Sequence, residues 1–200
     1  MVEPTESKRE EILNVAARMF STTGFHETSV RDIARECNIS QPTLYYYIGS
    51  KNELMAKVYA LGMCELVERL EEISRSEQPL DEKLRSYCRV RMQMIDHKDG
   101  RPTVFFRERR WLPPPAAFAI QGQRDRVDEI LDLILQEGVA AGLFVEMPPK
   151  TTRLAIQGML NWTIEWWRPD GPLTADQLAD RFSELILRGL LPRLPGSGTC

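Results

Sequence analysis

The sequence predicts an all-α protein. Apolar residues recur at helical spacing in nearly every segment, and the punctuation between segments consists of helix caps rather than strand turns. With 42% hydrophobic and 28% charged side chains over 200 residues, the chain can also bury a core of one or two compact units.

Each element follows from its local signals. Ser7-Lys8-Arg9-Glu10 reads as a capping box that opens a first helix, with Ile12, Leu13, Ala16, Ala17 and Phe20 inward and a stop at Gly24. A second helix starts from Ser29 and buries Val30, Ile33, Ala34 and Cys37, after which Asn38 makes the turn. Ser40 caps a third, short helix that tolerates Pro42 in its first turn, where the missing N–H would be unpaired anyway, and ends at Gly49. Ser50-Lys51-Asn52-Glu53 is a further capping box, opening a long fourth helix through Leu54, Val58, Leu61, Leu66 and Leu70 to about Arg75.

Beyond Pro79 the pattern predicts helices near 80–97, 101–111, 116–142, 150–168 and 174–191, about nine in all. Asp99-Gly100, Pro113-Pro114-Pro115, Pro148-Pro149 and Pro169-Asp170-Gly171-Pro172 separate them. Thr174 and Gln177 form a capping box on the last helix, and Leu173 and Leu178 sit where a hydrophobic staple needs them. Pro195 to Cys200 read as a frayed tail.

Composition narrows the function. A net charge of −3 gives no bulk attraction to nucleic acid or anionic membrane, so any nucleic-acid binding must come from a local surface. No run of 18 apolar residues is present, and the polar start MVEPTESKREE lacks the apolar region of a signal peptide, so a cytoplasmic protein is expected. Cys37, Cys64, Cys88 and Cys200 form no C-x-x-C pair, and the first three read as buried small apolar residues. With only His26 and His97, a histidine metal site lacks ligands, and neither a cofactor nor a metal is expected. An enzyme built on His97 or on Glu108, Arg109 and Arg110 would lack a nucleophile, base and orienting group at recognisable spacing. A partner-binding helical protein with an unused three-helix domain is a further reading.

Residues 29–48, SVRDIARECNISQPTLYYYI, have the build of a helix-turn-helix, in which the first helix braces a second that lies in the major groove. In the second helix Leu44, Tyr47 and Ile48 recur at i, i+3 and i+4 and face the core, which leaves Gln41, Pro42 and Tyr45 pointing outward as candidates for base contact. Gln can pair with adenine N6 and N7, and Pro can pack on a thymine methyl. Thr43, Tyr46, Lys51 and the helix N-terminus suit phosphate contacts. Residues 1–57 carry a net charge of −1, so the contact needs local cations, namely Lys8, Arg9, Arg31, Lys51 and Lys57, and its salt dependence should be modest.

Residues about 8–68 resemble the N-terminal domain of the TetR family of one-component transcriptional repressors. The family pattern is matched by Ser29-Val30-Arg31-Asp32-Ile33-Ala34 and by Ser40-Gln41-Pro42-Thr43-Leu44-Tyr45-Tyr46-Tyr47-Ile48-Gly49-Ser50-Lys51-Asn52-Glu53-Leu54, with Ile48 where Phe is usual. The resemblance implies that Arg31 and Gln41-Pro42-Thr43 contact DNA, and the expected set becomes Arg31, Ser40, Gln41, Pro42, Thr43, Tyr45, Tyr46 and Lys51. It also implies a homodimer on a palindromic operator, released when a small molecule enters the C-terminal domain. The expected division is 1–52 for DNA binding, 53–193 for effector binding and dimerisation, and 194–200 as tail, with helix 51–75 as the mechanical link.

The second half offers its own support for dimerisation. Helix 150–168 is apolar on two faces, Ala155-Met159-Trp162-Trp166 and Ile156-Leu160-Trp167, and one stripe is enough for its own core. Leu178, Phe182, Leu185, Ile186 and Leu190 of the last helix are the expected second half of a four-helix interface, unless both helices are buried within one subunit. Residues 85–126 carry a net charge of +6, interleaved with Phe105, Phe106 and Trp111. That suits an anionic effector with an apolar body, although pairing with the acidic segment 65–82 accounts for the same charges. Candidate effector contacts are Phe105, Phe106, Arg109, Met159, Trp162 and Trp166. Finally, Trp166-Trp167-Arg168-Pro169-Asp170-Gly171-Pro172-Leu173-Thr174 is similar to a W-Y-R-P-G-G-x-L-T stretch in TetR repressors induced by acyl-CoA thioesters, which implies an effector of that kind. Here Glu165 stands where one such member has Arg.

Overall fold

Caps and left-handed turns set the borders of the first four elements. A computed structural model describes residues 6–96 and 114–192, and places α1 at Glu6–Thr22, α2 at Val30–Glu36, α3 at Gln41–Ile48 and α4 at Lys51–Arg75. Ser29 and Ser40 cap α2 and α3, each hydroxyl accepting the N–H of the third residue on, Asp32 and Thr43. Between the helices the chain turns at Gly24 (φ 101°), Asn38 (φ 53°) and Gly49 (φ 76°), where the left-handed backbone is costly for side chains other than Gly or Asn.

Two start signals are realised differently from expectation. Glu6 is already helical, so Ser7 lies inside α1 and is no cap; an acidic residue in the first turn is itself favoured by the helix dipole. Ser50 accepts the Glu53 N–H at 3.1 Å but donates its hydroxyl to the Glu53 carboxylate at 3.0 Å, a cap whose return bond is between side chains.

The remaining helices are α5 at Leu80–Ile95, α6 at Pro114–Ala140, α7 at Pro149–Trp166 and α8 at Ala175–Leu190. These eight helices, without a strand among the described residues, make the all-α fold; the helix expected at 101–111 and the tail 194–200 lie outside the described residues. The reciprocal capping box of Thr174 and Gln177 opens α8. No helix among the described residues is long and apolar enough to cross a membrane, and no group of three or more His, Cys, Asp or Glu side chains there could hold a metal.

The chain divides into two compact units, Met1–Leu66 with Met94–Arg124 and Val67–Gln93 with Asp125–Cys200. In the first, Ile12, Ala16, Phe20, Phe25, Ile33, Cys37, Leu44, Leu54 and Val58 form a continuous core, sealed by Thr28, whose buried hydroxyl donates to the Gly24 carbonyl at 2.7 Å. Leu61, expected inside, is 37% exposed, and Met55 and Tyr59 take the inward positions of α4.

The second unit closes α6 with Gly142 (φ 70°) and folds Phe144 back over Gly138, whose carbonyl accepts the N–H groups of both Leu143 and Phe144. A Cβ on Gly138 would lie inside the contact distance of the buried Phe144 ring, whereas one on Gly122 would meet nothing. Gly138→Ala is therefore expected to cost about 1–3 kcal/mol, lowering the melting temperature by roughly 3–10 °C. Thermal denaturation checks this against Gly122→Ala, which should not destabilise; equal melting for both would refute the packing argument.

Cys37 and Cys88 are buried as expected, but Cys64 is exposed, on the outward side of α4 with the Gln123 amide donating to its Sγ at 2.8 Å. Burial pushes the Cys37 thiol up to about 11 and the Cys88 thiol up to about 12. The thiolate is the reactive species. In a Cys200→Ser background at pH 8, iodoacetamide should label Cys64 and spare the other two until guanidinium unfolds the chain, as peptide mass spectrometry would read out.

Candidate nucleic-acid interface

The buried stripe of α3 determines what its other face presents. Leu44, Tyr47 and Ile48 sit in the core, so Gln41, Pro42, Thr43, Tyr45 and Tyr46 are all exposed, Tyr45 by 43% and Tyr46 by 66%. The Tyr46 ring meets Tyr47 edge-on at 6.0 Å, which fixes the direction in which it leaves the helix. At the N-terminus the Ser40 and Thr43 hydroxyls lie 2.7 Å apart while Ser40 caps the helix, so both are positioned by the cap.

The brace helix is held just as locally. Ser29 donates to Asp32 at 2.5 Å while accepting its N–H, and Arg35 pairs with the same carboxylate at 2.8 Å. The Ser29 hydroxyl, with Arg35 and Arg31 behind it, holds the Asp32 carboxyl below the usual carboxylate range. Arg31 is exposed on α2, one residue before Asp32.

Several of the expected local cations also have partners within the domain. Lys8 donates to the Cys37 carbonyl at the end of α2 and pairs with Glu11, both at 2.8 Å. Lys57 reaches the Ile48 carbonyl at the end of α3 at 3.4 Å. These ammonium groups complete helix C-termini, where a cation also opposes the dipole. Lys51 sits 4.3 Å from the centre of the Phe25 ring, with Nζ 3.4 Å from the His26 carbonyl, and so ties the start of α4 to the turn before α2. Nothing in composition separates a lysine facing DNA from one facing a carbonyl.

Of the expected effector residues, Phe105, Phe106 and Arg109 lie outside the described residues. Met159 is half-buried, and Trp162 and Trp166 stand 67% and 47% exposed along the outer side of α7. The inner side of α7 consists of Ile156, Leu160, Thr163 and Ile164. Trp167 is buried and donates its indole N–H to the Leu173 carbonyl at 2.9 Å, which makes it the anchor of the turn into α8. In α8, Leu178, Ile186 and Leu190 belong to the chain's own core, contrary to the expected interface, and Leu185 is left exposed. Of the basic residues in 85–126, Arg126 pairs with Glu71 at 2.7 Å, Arg89 with Asp180 at 3.0 Å and Arg85 with Glu184 at 3.3 Å, so these three serve ion pairs within the unit.

Sequence reasoning missed two features of the second unit. An apolar crevice of about 280 Å³ is lined by Leu135, Val139, Phe144, Met147, Pro149 and Leu190, among others. A polar seam runs between α5, α6 and α7, made of Tyr87 and Arg91, Asp128 and Asp132, and Arg153, Gln157 and Asn161, each set spaced four residues apart along its helix. The signal was Arg91 itself, a charge inside the otherwise apolar positions of α5.

A tri-helical core that leaves one face of its third helix bare, with a capped brace helix beside it, defines a helix-turn-helix DNA-binding protein. Residues 12–58 match the bacterial regulatory proteins of the TetR family, and residues 77–190 match the tetracyclin repressor-like C-terminal domain. The chain belongs to the TetR family of bacterial transcriptional regulators, which are not enzymes. It is 29% identical to the transcriptional repressor KstR2 of Mycolicibacterium smegmatis over 188 residues, 92% of this chain and 91% of that protein. Among solved structures it is similar to the TetR regulator PfmR of Thermus thermophilus, with 32% identity and a TM-score of 0.84 over 89% of this chain and 97% of that one. The ketosteroid transcriptional regulator KstR2 of Mycobacterium tuberculosis matches at 25% identity and a TM-score of 0.82, over 95% and 98% of the two chains.

Proposed function

We propose that this regulator is a cytoplasmic homodimeric repressor that reads a palindromic operator with α3 and leaves it when a small molecule, a CoA thioester or another lipid-like anion, occupies the C-terminal domain. The observation that carries the reading is the bare face of α3, on which Gln41, Pro42 and Tyr45 are exposed together while the opposite stripe is buried. Gln41, Pro42 and Tyr45 contact bases; Arg31, Ser40, Thr43, Tyr46 and Lys51 set the register on phosphates. The DNA-binding domain is residues 1–52 and the effector and dimerisation domain is 53–193.

Dimerisation is supported by the outer face of α7. Leu154, Gly158 and Trp162 follow one another at i, i+4 and i+8, the leucine and tryptophan exposed and the glycine with open space above it, a surface on which a second helix can approach closely. α8 adds exposed Leu185. An exposed stripe of this kind marks an interaction surface. A lipid-like effector is supported by the Trp166–Thr174 stretch and by KstR2, a ketosteroid regulator, among the similar proteins. An effector that prefers the conformation with misplaced recognition helices lowers operator affinity by its differential affinity for that state.

Selection of fragments from the source genome by the purified protein at moderate salt tests the function. An inverted repeat enriched by the wild type is expected. Enrichment of direct repeats, of single half-sites or of nothing in effector-free protein would refute the dimeric operator reading.

A further inference from the structure

The polar seam of the second unit has an acceptor end and a donor end. At the acceptor end Arg153 donates Nε to Asp132 at 3.0 Å and Nη1 to Asp128, and the Gln157 amide donates to Asp128 at 2.7 Å, so both carboxylates are satisfied. At the donor end Arg91, only 8% exposed, gives one N–H to the Asn161 side-chain oxygen and pairs with no carboxylate among the described residues. That bond leaves the Asn161 NH₂ as a donor. Tyr87, one turn before Arg91 on α5, is 0% exposed; its hydroxyl lies near the Gln157 amide without meeting hydrogen-bond geometry and has no partner among the described residues.

A buried guanidinium without a carboxylate and a buried phenol without an acceptor are both costly, because each gives up water without full replacement. Among the described residues the phenol has no acceptor oxygen, and the guanidinium has only the Asn161 amide oxygen. Proteins that bury arginine for structure alone pair it, as this chain does with Arg153 a few turns away.

We propose that Arg91, Tyr87 and Asn161 form the oxygen-binding end of the effector site, taking the carboxylate or acyl carbonyl of a ligand whose hydrocarbon body lies among the apolar side chains of the same helices. The inference rests on the effector-responsive reading above and supplies its chemistry. Arg91 provides charge and a planar donor pair, which favours a carboxylate, and Tyr87 provides a single directional O–H.

The test uses the full-length protein with straight-chain carboxylates of five to sixteen carbons, their CoA thioesters and the matching alcohols. At saturating ligand at least one acid or thioester should raise the melting temperature by several degrees and its alcohol by much less. Stabilisation by the free acids assigns a carboxylate; stabilisation by the thioesters alone assigns the acyl carbonyl. Tyr87→Phe should melt no lower than wild type without ligand, since it removes an unsatisfied hydroxyl, and Tyr87→Phe and Arg91→Met should each weaken the chosen ligand at least tenfold in calorimetric titration. Full ligand affinity in both variants, or lower melting in both with the ligand response kept, would show a structural seam and overturn the site. So would a wild type that binds its operator but responds to no acid or thioester. A wild type that selects no operator overturns the proposed function, and the site with it.

Discussion

Tyr45→Ala is expected to lower operator affinity by about 10–100-fold, corresponding to roughly 1–3 kcal/mol for a central base-reading side chain. The ring is 43% exposed and stands on the outward face of α3, so its loss opens no cavity and the melting temperature should stay within about 1 °C of wild type. Neighbouring Tyr47 is only 7% exposed and belongs to the core, and Tyr47→Ala should unfold the domain rather than alter its specificity. Fluorescence anisotropy on the selected operator, at two salt concentrations, checks the first variant. Loss of a base contact leaves the slope of log K against log salt unchanged, whereas loss of a phosphate contact lowers it by about 0.9. Wild-type affinity in Tyr45→Ala would remove α3 from the reading of bases.

Trp162→Glu should separate the subunits and, with them, operator binding. The indole is 67% exposed on the outer face of α7 and follows Leu154 and Gly158 on one stripe, so a carboxylate there has no effect on the chain's own core but places two charges in any two-fold interface. A monomer contacts one half-site only, and the loss of the linked second contact should weaken operator binding by about 100-fold or more. Light scattering after gel filtration reads the assembly, and circular dichroism should show helix content intact. A dimeric Trp162→Glu protein with full operator affinity would move the interface elsewhere.

Much of the first unit was legible because its signals are local. Ser29, Ser40, Gly24, Asn38 and Gly49 act within four residues of themselves, and the i, i+3, i+4 rule divides α3 into Leu44, Tyr47 and Ile48 inside and Gln41, Pro42 and Tyr45 outside without knowledge of any other element. The lysines were not legible in this way. Lys8 and Lys57 look on paper like Lys51, yet the first two end on helix carbonyls, because a long flexible chain goes to the strongest acceptor that folding brings within reach. Cys64 and Leu61 likewise satisfy a helical periodicity that does not say which of two adjacent stripes α4 will bury.

By itself the sequence determined the all-α class, the borders of nearly every described helix, the helix-turn-helix and the identity of its outward residues, since each depends on interactions inside one turn of chain. Only the tertiary structure decided which face of α7 is covered and which left open, that Leu178, Ile186 and Leu190 serve the chain's own core, and that Arg91 bonds Asn161 one turn from a Tyr87 hydroxyl without a partner among the described residues. The Arg91–Asn161 bond joins residues 70 positions apart in the chain. Periodicity states only that a face is apolar or polar; what the face meets is set by the packing of separate helices, which no local rule contains.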